Sequence, residues 1–100
     1  GQSFAFHGYL PIDAAERVAM IKKMESRVYG ESQTQLFIET PYRNQRLVEE
    51  LIRVCRPSTK LCVAADITCA DEYIRTRPVK EWAGKLPDLS KRPTIFLLYK

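Results

Sequence analysis

The stretch richest in chemistry runs from Glu39 to Arg43 and reads Glu-Thr-Pro-Tyr-Arg. It places a carboxylate, a hydroxyl and a guanidinium where an apolar segment gives way to a helical pattern. Ligands of open α/β sheets bind beyond the carboxyl ends of strands, and the free N–H groups that begin a helix favour anions. The stretch therefore indicates a ligand site. A structural interpretation also stands, in which Thr40 caps the helix, Glu39 pairs with Arg43 and Pro41 shapes the turn.

A second polar cluster runs from Asp66 to Glu72, after another apolar segment. Asp and Thr side chains usually bond to nearby backbone in such a place, and as an acid/base pair the cluster lacks a supporting histidine or metal ligand. The single histidine, His7, is predicted to be a satisfied strand residue rather than a catalyst. Without a partner nucleophile no triad can be assembled, so no catalytic residue is assigned.

Arginines gather on the second predicted helix. Arg46, Arg53 and Arg56 fall near one side of it, away from its apolar stripe, and could form a strip that meets phosphates. Glu49 and Glu50 dilute that strip. The alternative is an ordinary solvated helix face.

The cysteines and glycines argue against two kinds of site. Cys55, Cys62 and Cys69 are equally spaced but contain no C-x-x-C pair, and they fall in a predicted helix, strand and loop. They are interpreted as free thiols of a cytoplasmic protein, with no metal site. Four scattered glycines cannot form a glycine-rich phosphate cradle, so any such loop is expected elsewhere.

Length and composition describe one domain. A chain of 100 residues with 45% hydrophobic and 28% charged residues can bury one core, which excludes a disordered chain and a multi-domain enzyme. The net charge of +4 permits an anionic partner without requiring one. The longest apolar runs, 61–65 and 95–99, are far shorter than the roughly 20 residues of a membrane-spanning helix. The opening glycine and immediate strand suggest a fragment of a longer protein.

Hydrophobic periodicity predicts the elements that must position these residues. Strands are expected at 3–10, 35–39, 61–67, 73–76 and 94–99, and helices at 14–29, from 41 to before 57, and briefly at 79–85. Asp13 with Glu16 is the predicted cap of the first helix, and Thr40 or Asn44 that of the second. The order βαβαββ(α)β predicts an α/β (α+β) fold with a mixed five-stranded sheet flanked by helices.

Four segments together resemble a known family. They are Phe-Ala-Phe-His-Gly-Tyr-Leu-Pro at 4–11, Phe-Ile-Glu-Thr-Pro-Tyr-Arg at 37–43, Asp-Ile-Thr at 66–68 with Glu72, and Pro-Thr-Ile-Phe at 93–96. In this order they resemble the C-terminal half of the tetrapyrrole methylase superfamily (class III), closest to its ribosomal-RNA small-subunit 2′-O-ribose methyltransferase branch. That branch usually has Glu-Leu-Thr-Lys and then His-Glu where this sequence has Asp66-Ile67-Thr68-Cys69 and then Asp71-Glu72, a departure that bears on the substrate more than on fold or cofactor.

The resemblance implies a two-domain S-adenosylmethionine-dependent methyltransferase of which residues 1–100 are one domain, the C-terminal half. The implied partners are the N-terminal half of the same protein, a second copy in a homodimer, and ribosomal RNA as methyl acceptor, with no membrane. By motif match the resemblance implies contacts to the cofactor near Thr40, Thr68, Pro93 and Thr94, and contacts to substrate from Glu39 and Arg43. Arg46 of the arginine strip is the third predicted substrate residue. The implied reaction is direct displacement at the sulfonium methyl, and the isolated chain is expected to fold without transferring methyl groups. A non-catalytic RNA-binding or dimerisation module is the alternative.

Overall fold

The computed structural model describes residues 3–89 and 92–100. Its strands and helices, in chain order, are β1 (Ser3–Tyr9), α1 (Ala14–Glu31), β2 (Gln33–Ile38), α2 (Asn44–Val54), β3 (Lys60–Ala65), β4 (Tyr73–Pro78) and β5 (Thr94–Tyr99), with short 3₁₀ turns at Pro41–Arg43 and Val79–Trp82. This is the predicted order βαβαββ(α)β. None of the described helices is long and apolar enough to cross a membrane.

The strands form one mixed five-stranded sheet in the order β1-β2-β5-β3-β4, which confirms the predicted fold class. β1 and β2 are parallel, and every other neighbouring pair is antiparallel. In this order β5, the last strand of the chain, lies in the middle of the sheet. Because β5 is antiparallel to both β2 and β3, the strands β1, β2 and β3 all run in the same direction. Their carboxyl ends therefore lie at the same end of the sheet.

Both helices cover the same face of this sheet. Phe37 of β2 and Phe96 of β5 are fully buried there, with ring centroids 5.7 Å apart in a stacked arrangement. The indole N–H of Trp82 donates to the carbonyl of Leu61 at 2.9 Å, which closes the core beside β3. These rings belong to one buried cluster that also includes apolar side chains of both helices.

The opposite face, here called the open sheet face, carries apolar side chains without a covering element among the described residues. It consists of Phe4, Phe6, Leu36, Ile38, Ile74, Ile95 and Leu97, which the strand registers place on one side. Phe4 and Phe6 are 65% and 66% exposed, and Ile74 is 51% exposed. A sheet with two apolar faces is expected to be covered on both.

Hydrogen bonds to the backbone define both ends of α1. The carboxylate of Asp13 accepts from the backbone N–H of Glu16 at 3.0 Å, which confirms the predicted cap. The helix continues past Gly30, where it was expected to end, through Glu31. Ser32 then takes the left-handed conformation at φ 51° and donates its N–H to the carbonyl of Arg27.

The predicted caps of α2 are wrong. A 3₁₀ turn at Pro41–Arg43 precedes the helix, and neither Thr40 nor Asn44 makes a side-chain cap bond. The reason is that the side chain of Asn44 is buried and donates across the fold to Thr94.

Candidate functional site

The loops at the carboxyl ends of β1, β2 and β3 surround a hollow of about 520 Å³, here called the strand-end cavity. Its apolar lining includes Ile38 and Ile95 from the open sheet face, and Ala64 of β3. Polar groups of Glu39 and Asp66 also border it. A concave, mostly apolar space with a few polar groups at such an edge is the usual form of a ligand site in α/β proteins.

Of the four predicted cofactor residues, two line this cavity and two do not. Pro93 and Thr94 line it. Thr40 and Thr68 do not, although the residues on either side of each do. The hydroxyl of Thr94 is already engaged, because it accepts from Asn44 at 3.1 Å and donates to the carbonyl of Arg92 at 2.9 Å. Cofactor contact by these four residues stays a prediction.

The segment between β3 and β4, here called the 66–72 loop, forms one side of the strand-end cavity through Ile67 and Cys69. The carboxylate of Glu72 accepts from the backbone N–H of Thr68 at 2.8 Å, which is the turn chemistry expected of this cluster. The carboxylate of Asp66 instead forms an ion pair with Arg92. Its charge is thus compensated within the fold.

The three predicted substrate residues lie together in a second hollow of about 510 Å³, here called the arginine cavity. It lies between the start of α1 and the first turns of α2. Glu39, Arg43 and Arg46 line it, together with Arg17 and Glu50 among others. Glu39 lines the strand-end cavity as well, so the two hollows adjoin.

Glu50 organises the charge in the arginine cavity. Its side chain is only 7% exposed, and its carboxylate accepts from the guanidinium groups of both Arg17 and Arg53. The hydrogen bond to Glu50 is the main cause that raises the pKa of Arg17, and the charge of Glu39 adds to it. Arg17 also donates to the carbonyl of Ile12 at 2.8 Å. Two of the arginines therefore share one carboxylate, and the three groups together keep a net charge of +1.

The guanidinium groups of Arg43 and Arg46 are available to bind an external anion. The alternative in which Glu39 pairs with Arg43 is not found among the described residues: the Glu39 carboxylate accepts from the N–H and hydroxyl of Thr40, at 2.8 and 3.3 Å. The guanidinium of Arg43 lies 5.6 Å from the ring centroid of Tyr42. Arg46 is exposed to solvent.

The predicted arginine strip is divided in the structure. Arg46 and Arg53 both line the arginine cavity. Arg56 does not, because α2 ends at Val54 and the backbone turns away, which leaves the Arg56 guanidinium 4.3 Å from the ring centroid of Tyr29. No local pattern points to Arg17, because its partner Glu50 lies 33 residues away along the chain.

The remaining candidates are structural. His7 Nε2 lies 2.6 Å from Gln35 Oε1, which confirms the prediction of a satisfied strand histidine. All three cysteines are free thiols. The described residues contain no group of three or more side chains arranged to hold a metal ion.

No family model and no curated protein matches the chain. Solved structures do. The crystal structure of the methyltransferase CobJ has a TM-score of 0.60 at 15% identity, and the similarity covers 98% of this chain and 41% of that one. Uroporphyrin-III C-methyltransferase from Thermus thermophilus, complexed with S-adenosylhomocysteine, has a TM-score of 0.56 at 17% identity and covers 98% and 42%. Cobalt precorrin-4 methyltransferase, CbiF, has a TM-score of 0.58 at 15% identity and covers 99% and 40%.

The fold matches part of these methyltransferases. This agrees with the fold that the sequence resemblance implied, and the chain spans about two fifths of the length of these enzymes. None of the three is named as an RNA enzyme, so the expected closeness to the ribosomal-RNA branch gains no support from them. At identities of 15% to 17% the likeness establishes the fold alone.

Proposed function

We propose that this chain is the C-terminal domain of an S-adenosylmethionine-dependent methyltransferase. Its strand-end cavity forms one wall of a cofactor cleft, and the N-terminal half of the same protein forms the other. The observation that carries the proposal is the apolar hollow at the carboxyl ends of three strands, lined by Pro93 and Thr94. The tetrapyrrole methylase fold supports it, as does the S-adenosylhomocysteine bound by one enzyme of that fold.

The cavity suits the adenosine part of the cofactor. A volume of about 520 Å³ is within the usual range for small-molecule sites. The aliphatic side chains of Ile38 and Ile95, which are cross-strand neighbours, can pack together on one face of an adenine ring. The bound cofactor supplies an electrophilic methyl group. The residues of this chain orient it and exclude water.

The acceptor is proposed to be an anion held in the arginine cavity. Because Arg17 and Arg53 are both bound to Glu50, Arg43 and Arg46 are the guanidinium groups of this cavity placed to bind carboxylates or phosphates. Glu39, shared by both cavities, lies between acceptor and cofactor. The structural neighbours favour an acidic tetrapyrrole, and a ribosomal RNA ribose is the finer alternative from the sequence. The isolated chain is expected to transfer no methyl group.

Calorimetric titration of the full-length protein with S-adenosylhomocysteine tests this proposal. We expect saturable binding that is weakened about tenfold by Ile67→Glu, which puts a charge on the wall of the strand-end cavity. Ile12→Glu is the matched control, because Ile12 is exposed and lines only the arginine cavity. Absence of binding by the wild-type protein would overturn the proposal. Binding of RNA without binding of cofactor would favour the non-catalytic RNA-binding module.

We further propose that a second copy covers the part of the open sheet face outside the strand-end cavity, around Phe4, Phe6, Leu36 and Leu97, which makes the protein a homodimer. The whole face of five strands of about six residues has a flat area on the order of 500 Å². Two whole faces would bury on the order of 1,000 Å², so the part outside the cavity is the size of a weak interface. Lys60 is the one charged strand residue that the registers of the described residues place on this face, at the end of β3, and its ammonium lies 5.9 Å from the ring centroid of Tyr99. The free thiols suit a cytoplasmic location, which we retain as part of the proposal.

A further inference from the structure

Arg92 connects the two loops that border the strand-end cavity. Its Nε forms an ion pair with the carboxylate of Asp66, and its Nη2 donates to the backbone carbonyl of Asp71. Asp66 and Asp71 lie near the two ends of the 66–72 loop, whereas Arg92 lies two residues before Thr94, on the segment that leads into β5. One side chain thus bridges the loop and fastens it to the central strand. Arg92 and Asp66 are 26% and 18% exposed at their side chains, so solvent screens the pair only in part.

The 66–72 loop needs such a fastening because its backbone is strained. Asp66 and Thr68 have φ values of 49° and 71°, in the left-handed region that favours glycine. Thr68 is β-branched, for which this conformation is particularly unfavourable. Residues of this kind persist only where surrounding contacts hold them, and such strain is often found at functional sites.

Short backbone bonds complete the loop. The N–H of Asp66 donates to the carbonyl of Pro93 at 3.0 Å, and the N–H of Cys69 donates to the carbonyl of Asp66 at 2.9 Å. The N–H of Glu72 donates to the carbonyl of Cys69 at 3.1 Å. These bonds lie inside the loop or at its start. Among the side chains of the described residues outside the loop, Arg92 is the one that contacts both of its ends.

We propose that Arg92 is a positioning residue for the cofactor wall. By fixing Asp66 and Asp71 it holds the strained path at Thr68, and that path presents Ile67 and Cys69 to the strand-end cavity. Arg92 itself is not among the residues that line the cavity, so it acts through the loop. The inference rests on the proposed function, because it assigns this wall to the adenosine part of S-adenosylmethionine.

The test uses the full-length protein and three variants. Arg92→Ala removes both contacts, Arg92→Lys keeps the charge without the planar fork that serves two acceptors, and Arg75→Ala removes the same charge from an exposed position on β4. Amide hydrogen exchange of residues 66–72 reports the loop, and calorimetric titration with S-adenosylhomocysteine reports the site. Thermal unfolding reports global stability.

We expect Arg92→Ala to speed exchange in the 66–72 loop at least tenfold and to raise the dissociation constant about tenfold, with the other strands exchanging as before. Arg92→Lys should recover part of both effects, and Arg75→Ala should change neither. Unchanged exchange in the loop would overturn the inference. So would a loosened loop with unchanged affinity, while the proposed function survived. If the wild-type protein binds no S-adenosylhomocysteine, the proposed function fails and the cofactor role of Arg92 fails with it, even where exchange shows that Arg92 holds the loop.

Discussion

The amide of Asn44 donates a hydrogen bond to the hydroxyl of Thr94 at 3.1 Å, joining the first residue of α2 to the first residue of β5. The pair is buried, at 0% and 5% exposure. The hydroxyl of Thr94 in turn donates a hydrogen bond to the carbonyl of Arg92 at 2.9 Å. This hydrogen bond therefore links α2, which lines the arginine cavity, to β5, which lines the strand-end cavity. Movement of either cavity relative to the other would break it.

Thr94→Val should destabilise the fold. Valine keeps the shape of threonine but leaves the Asn44 amide and the Arg92 carbonyl without their partner, at a cost of about 1–3 kcal/mol. Urea unfolding of the isolated chain measures the difference. Thr94→Ser is the matched control, because it keeps the hydroxyl, and it should recover most of the lost stability. Equal stability of the valine variant and the wild type would show that the hydroxyl is free for other partners.

The elements were predictable from sequence because their signals are local. The apolar stripe of α2 and the short apolar runs of β3 and β5 are patterns among residues close together in the chain, so they can be recognised in the sequence. Contacts between distant residues carry no such signal. The sequence pattern predicts that Glu50 dilutes a basic strip, whereas the fold brings Arg17 to its carboxylate from 33 residues away. Asn44 has the residue type of a cap, but tertiary packing gives its side chain another partner.

The candidate site was predictable to the extent that its residues share one edge of the sheet. Glu39, Arg43 and Arg46 were grouped from the sequence, and the structure brings them into one cavity. The sequence could not show that Thr68 has a left-handed backbone or that Arg92 holds its loop, because φ angles and long-range ion pairs are settled only by the folded chain.

Glu50→Gln should lower stability by about 2–3 kcal/mol. The carboxylate is buried and binds Arg17 and Arg53, and its replacement leaves the guanidinium of Arg17, which is 15% exposed, without a compensating charge. Partial exposure of that group places the loss near the lower end for buried pairs. Chemical unfolding at neutral pH measures it. Glu49→Gln, at the exposed neighbouring position, should change stability by less than about 0.5 kcal/mol. Similar values for the two variants would contradict the role given to Glu50.

Ser32→Gly should stabilise the protein by about 1 kcal/mol. Ser32 ends α1 with φ 51°, where a Cβ atom is unfavourable and glycine is not. Thermal unfolding should show a higher midpoint. Ser26→Gly, at an exposed position inside the same helix, should have the opposite sign because glycine there costs helix propensity. A destabilised Ser32 variant would mean that the serine side chain contributes to the cap.

Stability should decline at alkaline pH through Cys55. Burial raises the pKa of this thiol, and the nearby charge of Glu25 adds to the shift. In the unfolded chain the thiol has an ordinary pKa of about 8.5. The folded state thus binds the proton more tightly, and the contribution is complete below about pH 8.5 and is lost as the pH rises above it. Unfolding free energies between pH 7 and 10 should fall less steeply in Cys55→Ala than in the wild type.

Cys69, which is exposed, should react at once with iodoacetamide, whereas Cys55 should react only on unfolding.

Phe6→Glu should convert the proposed dimer to monomers. Phe6 lies on the open sheet face at 66% exposure, so glutamate there is compatible with the folded domain but places a charge in an interface between two copies. Sedimentation equilibrium of the full-length protein should show half the wild-type mass with little change in the unfolding midpoint. Ile12→Glu, at a position that is 77% exposed but outside this face, should remain dimeric. If wild type and Phe6→Glu have the same mass, a second copy does not cover the open sheet face. If in addition the variant exposes new sites to proteolysis in the N-terminal half, that half is the cover, and the charge has separated two domains of one chain rather than two copies.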